Sequence, residues 1–251
     1  MQYKYAVELP DYTDLASGRV FYSAPGYPAF PVRLASEIFQ RCMAARNSMY
    51  RDSNPCTLYD PCCGTAYHLS IVAFLHGENI RRIVASDIDV KAIGLAKRNL
   101  GLLSLPGLEL RIREISAMSE QYRKQSHKDA LESAYRFRDR ISVLDRGQPL
   151  ATDVFQASAT DRRALLENIQ PGSVDIVFTD IPYGMHSQWV GIDEQSNPVA
   201  SMLDALHGIL SPSSIVAIVS DKRQKASHEN FHRIEQFQAG KRRVAILKPI
   251  L

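Results

Sequence analysis

The sequence predicts an α/β protein built on a doubly wound, mostly parallel sheet. Three observations carry that prediction. Short apolar runs recur, each followed by a turn and then by a stretch with helical spacing, the rhythm of parallel βαβ units. Asp60, Asp87, Asp153 and Asp180 each stand at the carboxyl end of one of those runs. The last two runs are joined by a tight turn, which adds an antiparallel hairpin.

Each element has its own warrant. Residues 1–30 are rich in Pro, Gly and Tyr and read as an irregular arm. A helix opens near Pro31, where proline suits a first turn, and Leu34, Ile38, Phe39 and Cys42 form its apolar stripe. Residues 56–60, CTLYD, are a short buried strand that breaks into the loop PCCGT before a helix over 66–76. Residues 82–87 make a second strand and 90–102 a helix, with Ala92, Ile93, Leu95, Ala96 and Leu100 on its inner face. Residues 103–148 are far longer than an ordinary connection. Within them Ala130, Leu131, Ala134, Phe137 and Ile141 recur at helical spacing, so one or two inserted helices are expected beside the sheet. Strands follow at 150–155, 174–180 and 215–219, and a hairpin at 231–237 and 243–248 turns about Ala239 and Gly240. The expectation is one domain over residues 1–251, with the arm and the insertion as embellishments.

Composition narrows the function classes. Hydrophobic residues make up 45% of 251 and charged residues 23%, ordinary values for a globular protein. A net charge of +3 permits a nucleic-acid partner without demanding one. The apolar runs are too short to span a bilayer, and MQYKYAVELPDY has no signal-peptide core. A cytoplasmic monomer with no membrane partner is expected. Cys42, Cys56, Cys62 and Cys63 have no second ligand pair downstream, which argues against zinc. Adjacent Cys62 and Cys63 read as small loop residues in a reducing compartment.

The acids point to chemistry. Ligands of open parallel sheets sit outside the carboxyl ends of the strands. Helix capping explains one acid there but not four. The first loop, DPCCGTA, holds a single glycine with an acid ahead of it. It is no dinucleotide fingerprint, and an acid suits a cation better than a phosphate. S-adenosylmethionine carries an ammonium and a sulfonium. In that reading Asp87 accepts bonds from the ribose hydroxyls and Asp153 meets the adenine amine.

Taken in order, DPCCGTAY, IVASDIDVKAIGLAKRN, ATDVF and TDIPYG resemble the successive motifs of Rossmann-fold S-adenosylmethionine-dependent methyltransferases, over about residues 30–250. TDIPYG resembles the (Asn/Asp/Ser)-Pro-Pro-(Tyr/Phe) element of enzymes that methylate exocyclic or amide nitrogens. Two positions depart from the pattern: Ala66 stands for the usual second glycine of the first loop, and Ile181 for the first proline of the last motif. The string SAPGYPAFPVRLASEIFQR, with DPCCG and TDIPYG, is similar to the avilamycin-resistance family of 23S rRNA methyltransferases.

The resemblance implies methylation of a guanine nitrogen, ring or exocyclic, in 23S rRNA or the large ribosomal subunit. It implies cofactor contacts from Arg33, Asp60, Cys62, Gly64, Asp87, Ile88, Asp153 and Val154. Asp180 and the Ile181 carbonyl would accept hydrogen bonds from the target amine. Pro182 would fix the turn, Tyr183 would stack on the base, and Gly184 would let the chain pass the ring. A DNA-adenine or protein-glutamine methyltransferase, or an inactive relative that binds RNA, stays open as an alternative. Trp189 reads equally as packing or stacking, and His68 and His186 as plain structural residues. The basic clusters at Lys222, Arg223 and Lys225 and at Lys241, Arg242 and Arg243 are solvated loops or contacts to an RNA backbone.

Overall fold

The computed structural model describes residues 2–144, 150–182, 189, 197–221 and 224–250. Seven strands form one sheet, in the order β3-β2-β1-β4-β5-β7-β6. They are β1 (Cys56–Asp60), β2 (Ile80–Asp87), β3 (Ala151–Gln156), β4 (Val174–Asp180), β5 (Leu210–Ser220), β6 (Phe231–Ala239) and β7 (Arg242–Pro249). The first five run parallel, while β7 pairs antiparallel with both β5 and β6. The chain order reverses at β1, so the switch-point crevice opens between the ends of β1 and β4, where parallel sheets place their ligands.

The expected rhythm is present, and the expected hairpin turns at Gly240, whose φ is 61°. The helices are α1 (Val32–Tyr50), α2 (Tyr67–His76), α3 (Val90–Gly101), α4 (Leu105–Tyr122), α5 (Gln125–Leu144), α6 (Arg162–Asn168) and α7 (Pro198–His207). Alternate strand residues face opposite ways and make two cores. Leu58, Ile83, Ile176, Phe178 and Ile215 face the core shared with α1 to α5. Tyr59, Val84, Val177, Val216 and Ile218 face the core shared with α6 and α7.

The long insertion is two helices, α4 and α5. Ala130, Ala134, Phe137 and Ile141 of α5 are buried, as their spacing predicts. Its arginines serve this packing: Arg136 clamps Asp14 of the arm at 2.7 and 2.6 Å, and the Arg140 guanidinium sits 4.8 Å over the Phe74 ring. Sequence periodicity did not reveal α6 and α7. Each begins at a side-chain cap: Asp161 accepts from the Ala164 N–H at 3.1 Å, and Asn197 from the Val199 N–H at 3.1 Å with Pro198 next.

The arm is irregular but firmly held. Glu37 of α1 is fully buried and accepts the backbone N–H groups of Lys4, Tyr5 and Ala6 at 2.7, 2.9 and 2.7 Å. It also takes the Arg41 guanidinium at 2.7 Å. Farther along the arm, Tyr22 is tied through Asn99 to the loop that follows β1, and the Tyr27 ring lies beside Gly64 of that loop.

Candidate active site

The loop after β1 is shaped by its own carboxylates. Asp60 is fully buried at the strand end and accepts the Cys62 N–H at 2.9 Å. The Cys63 N–H bonds the Ser86 carbonyl of β2 at 2.9 Å. Asp87, ending β2, accepts the Gly64 N–H at 2.8 Å and the Asp89 N–H at 2.9 Å. Burial raises its pKa, with Asp60 and Asp89 adding to the rise against those two bonds. Gly64 and Ala66 both have φ in the left-handed region, 52° and 53°. A glycine suits that backbone; alanine there carries strain of order 1–2 kcal/mol.

Two residues from elsewhere close the loop. Asn99, fully buried on α3, donates to the Thr65 carbonyl at 2.9 Å and to the Tyr22 carbonyl at 3.1 Å, and accepts the Tyr22 N–H at 2.7 Å. Tyr27 donates its hydroxyl to Asp89. Its ring lies 3.9 Å from where a Gly64 Cβ would stand, so the arm roofs the loop. Burial, with the Asp89 bond adding to it, pushes the Tyr27 pKa up to about 12.

Across the switch point, β4 ends in Asp180. The Ile181 N–H bonds the Val219 carbonyl of β5 at 3.0 Å, so the chain leaves the sheet only after Ile181. The Pro182 carbonyl accepts from the Gln224 side chain at 3.1 Å. Asp180 Oδ2 stands 3.9 Å from Nε of Arg242, the first residue of β7. Beneath them Phe30 packs edge-on against Phe178, 5.7 Å between ring centres, and under the Arg242 guanidinium at 5.2 Å. His68 is buried behind Phe30, with Nε2 3.1 Å from Asp60 and 3.3 Å from the Phe178 carbonyl. Burial works against its charged form, but Asp60 and the Phe178 carbonyl outweigh it and raise the His68 pKa.

Residues 1–242 match the family described as rRNA methyltransferase AviRa. The chain belongs to the AviRa rRNA methyltransferase family. It is 39% identical over 246 residues to the 23S rRNA (guanine(2535)-N(1))-methyltransferase of Streptomyces viridochromogenes, covering 98% of this chain and 95% of that protein. Two solved structures of the rRNA methyltransferase aviRa from Streptomyces viridochromogenes share its fold. One has TM-score 0.85 at 38% identity and covers 98% of this chain and 96% of its own. The other has TM-score 0.87 at 37% identity and covers 100% and 97%.

Not every expected residue of this AviRa-family chain sits where the sequence put it. Asp153 is not at a strand end. β3 runs on to Gln156, Asp153 lies opposite Val84, and its carboxylate takes Arg82 at 2.7 Å. The half-buried Val154 lies opposite Ala85, packed against the first core. The end of β3 is Gln156, which donates to the Ile88 carbonyl at 3.0 Å, and the Ala157 N–H bonds the Asp87 carbonyl at 3.1 Å. Arg33 serves the arm: it donates to the Ala6 and Val7 carbonyls at 2.8 and 3.0 Å and lies 3.8 Å over the Tyr3 ring. Cys62 and Cys63 have thiols pushed well up by burial, which makes them poor nucleophiles. Gly64, Asp87 and Ile88 do come together at the crevice edge. Tyr183, Gly184, His186, Lys222 and Arg223 lie outside the described residues. Trp189 packs against the second core.

Sequence reasoning missed Asn99 and Tyr27, and read Arg242 only as one of a basic cluster rather than as a neighbour of Asp180. Asn99 carried a signal, because a polar residue on the buried face of α3 must find partners. Tyr27 and Arg242 reach the site by tertiary folding. Among the described residues no group of three or more His, Cys, Asp or Glu could hold a metal ion, and no helix is long and apolar enough to cross a membrane.

Proposed function

We infer that this chain methylates N1 of a guanine in 23S rRNA, with S-adenosylmethionine as methyl donor. The observation that carries the reading is the match, along nearly the whole chain, to a relative named for that atom of guanine, with an acid at the end of β4 beside an arginine.

Three features support the donor. Asp87 spends two acceptor sites on Gly64 and Asp89; a carboxylate offers about four, so ribose hydroxyls can take the rest. Ile88 is 41% exposed beside it and offers an apolar wall to an adenine ring. Gly64 has no side chain and presents bare backbone beside the Tyr27 ring, which lets a ligand approach the loop closely. Asp60 acts through the loop, since its side chain is wholly buried. The donor, when bound, supplies an electrophilic methyl on sulfur.

The chain's own residues then prepare the base. A paired guanine cannot reach the crevice, so the target is flipped out or already unpaired. Guanine N1 keeps its proton at neutral pH, and its electron pair is spread into the ring. Asp180 accepts the N1–H bond and takes the proton as the methyl arrives. The Ile181 carbonyl is available for the neighbouring 2-amino group. Pro182 holds the turn extended, and Tyr183 stacks on the base, a contact worth about 1–3 kcal/mol. Burial in this crevice strengthens each electrostatic contact.

Methylation in the binding region of an avilamycin-type antibiotic would protect the ribosome that carries it. The test is methyl transfer to isolated large subunits and to naked 23S rRNA, followed by nucleoside mass analysis. The reading expects 1-methylguanosine. A methyl on adenine, on the guanine 2-amino group, or on protein overturns it.

A further inference from the structure

Asp180 alone leaves the chemistry incomplete. When N1 of guanine loses its proton, the negative charge spreads onto O6, the adjacent atom of the pairing edge. A carboxylate cannot stabilise that oxygen; it needs a donor, best a cation. Arg242 stands where such a donor is required. Its Nε is 3.9 Å from Asp180, wider than a direct hydrogen bond. Nε is buried and makes no hydrogen bond among the described residues. Such a group is costly unless a partner arrives. The guanidinium is braced by the Phe30 ring, and its backbone by the Gly240 turn and the pairing of Ala239 with Arg242.

We propose that Arg242 is a specificity-determining residue that binds O6 of the target guanine while Asp180 binds N1. This rests on the guanine-N1 reading above. Guanine presents N1–H as a donor beside O6 as an acceptor. Adenine presents the reverse, an N1 acceptor beside an amino donor. An acceptor from Asp180 and a donor from Arg242, side by side, fit the first edge and repel the second, as paired donors and acceptors do in groove readout. In the transfer the N1–H bond breaks and its proton passes to the Asp180 carboxylate. The electron pair left on N1 forms the bond to the methyl carbon. The pair of the broken carbon–sulfur bond stays on the donor sulfur. Arg242 meets the charge on O6 between those events and keeps its own proton throughout.

The experiment compares wild type, Arg242→Ala and Arg242→Lys on rRNA fragments that carry either guanosine or adenosine at the modified position. It measures RNA affinity, single-turnover rate, cofactor affinity and melting temperature. Wild type should prefer the guanosine fragment by about tenfold or more, the scale of one good base-edge pair. Arg242→Ala should lose most of that preference and lose roughly 10²-fold or more in turnover, with cofactor affinity unchanged. Arg242→Lys should recover part of both. If the alanine variant melts early, Arg242→Gln, which keeps a donor of similar reach without the charge, carries the comparison. A variant equally weakened on both fragments, with a shallower salt dependence, means a phosphate contact and overturns the proposal. So does unchanged turnover. Wild type that makes no 1-methylguanosine fails at the earlier step and removes the guanine-N1 reading itself.

Discussion

Asp87 and Asp153 show how far one residue can be read from sequence. Both are acids after an apolar run. Asp87 ends its strand and shapes the loop, whereas Asp153 is mid-strand on the exposed edge and pairs with Arg82. Chain pattern fixes where a buried strand stops, because the apolar run stops with it. On an edge strand exposed residues continue the hydrogen-bonded ladder, so the end is invisible. Asp87→Ala should therefore weaken S-adenosylmethionine binding by about 1.5–3 kcal/mol, the range for bonds to a charged group, while Asp153→Ala should leave it unchanged. Calorimetry on both variants decides. His68 gives a second residue-scale expectation. Its folded pKa is raised above the ordinary 6.5, so its pairing with Asp60 stabilises fully below that value and is lost as pH rises through the folded pKa. The melting-temperature gap between wild type and His68→Gln should shrink as pH is raised from 6 towards 8. A gap that widens means the imidazole is held neutral.

At the scale of elements, β1, β2, β4 and the hairpin were legible because apolar runs and turns mark them locally. The arm's attachment was not. Nothing near residues 4–6 indicates that their N–H groups converge on Glu37. Apolar periodicity calls a helix inward-facing from its hydrophobic residues, and Glu37 violates the pattern by design. Burial raises its pKa, but three backbone donors and Arg41 more than reverse that and hold it below the carboxylate norm. Glu37→Ala would take one of the two carboxylates that hold Arg41, leaving it Glu235, and would release three N–H groups. The loss should be at least about 1–3 kcal/mol, the cost of a buried donor left unsatisfied, and cleavage within residues 1–12 should appear in limited proteolysis. A variant that melts lower but keeps the arm protected would show that Glu37 stabilises α1 alone.

For the whole molecule, doubly winding the sheet collects the carboxyl ends of the parallel strands on one side, and reversing the last hairpin brings the start of β7 to that same side. That is why Arg242 faces Asp180, and why no reading of local sequence could pair them. The tip of the same hairpin carries exposed Lys241. Lys241→Glu should weaken RNA binding on any sequence and reduce the slope of log affinity against log salt by about one, with cofactor affinity unchanged. An unaltered slope would make this lysine ordinary surface. The central claim is that Asp180 handles the N1 proton of a guanine presented to this crevice. Single-turnover methylation of 23S rRNA by wild type and Asp180→Asn, with product nucleosides identified by mass, tests it most directly. The account predicts 1-methylguanosine from wild type and a rate roughly 10²–10³-fold lower in the variant, at unchanged melting temperature and cofactor affinity. An Asp180→Asn enzyme that still makes 1-methylguanosine at the wild-type rate would contradict it.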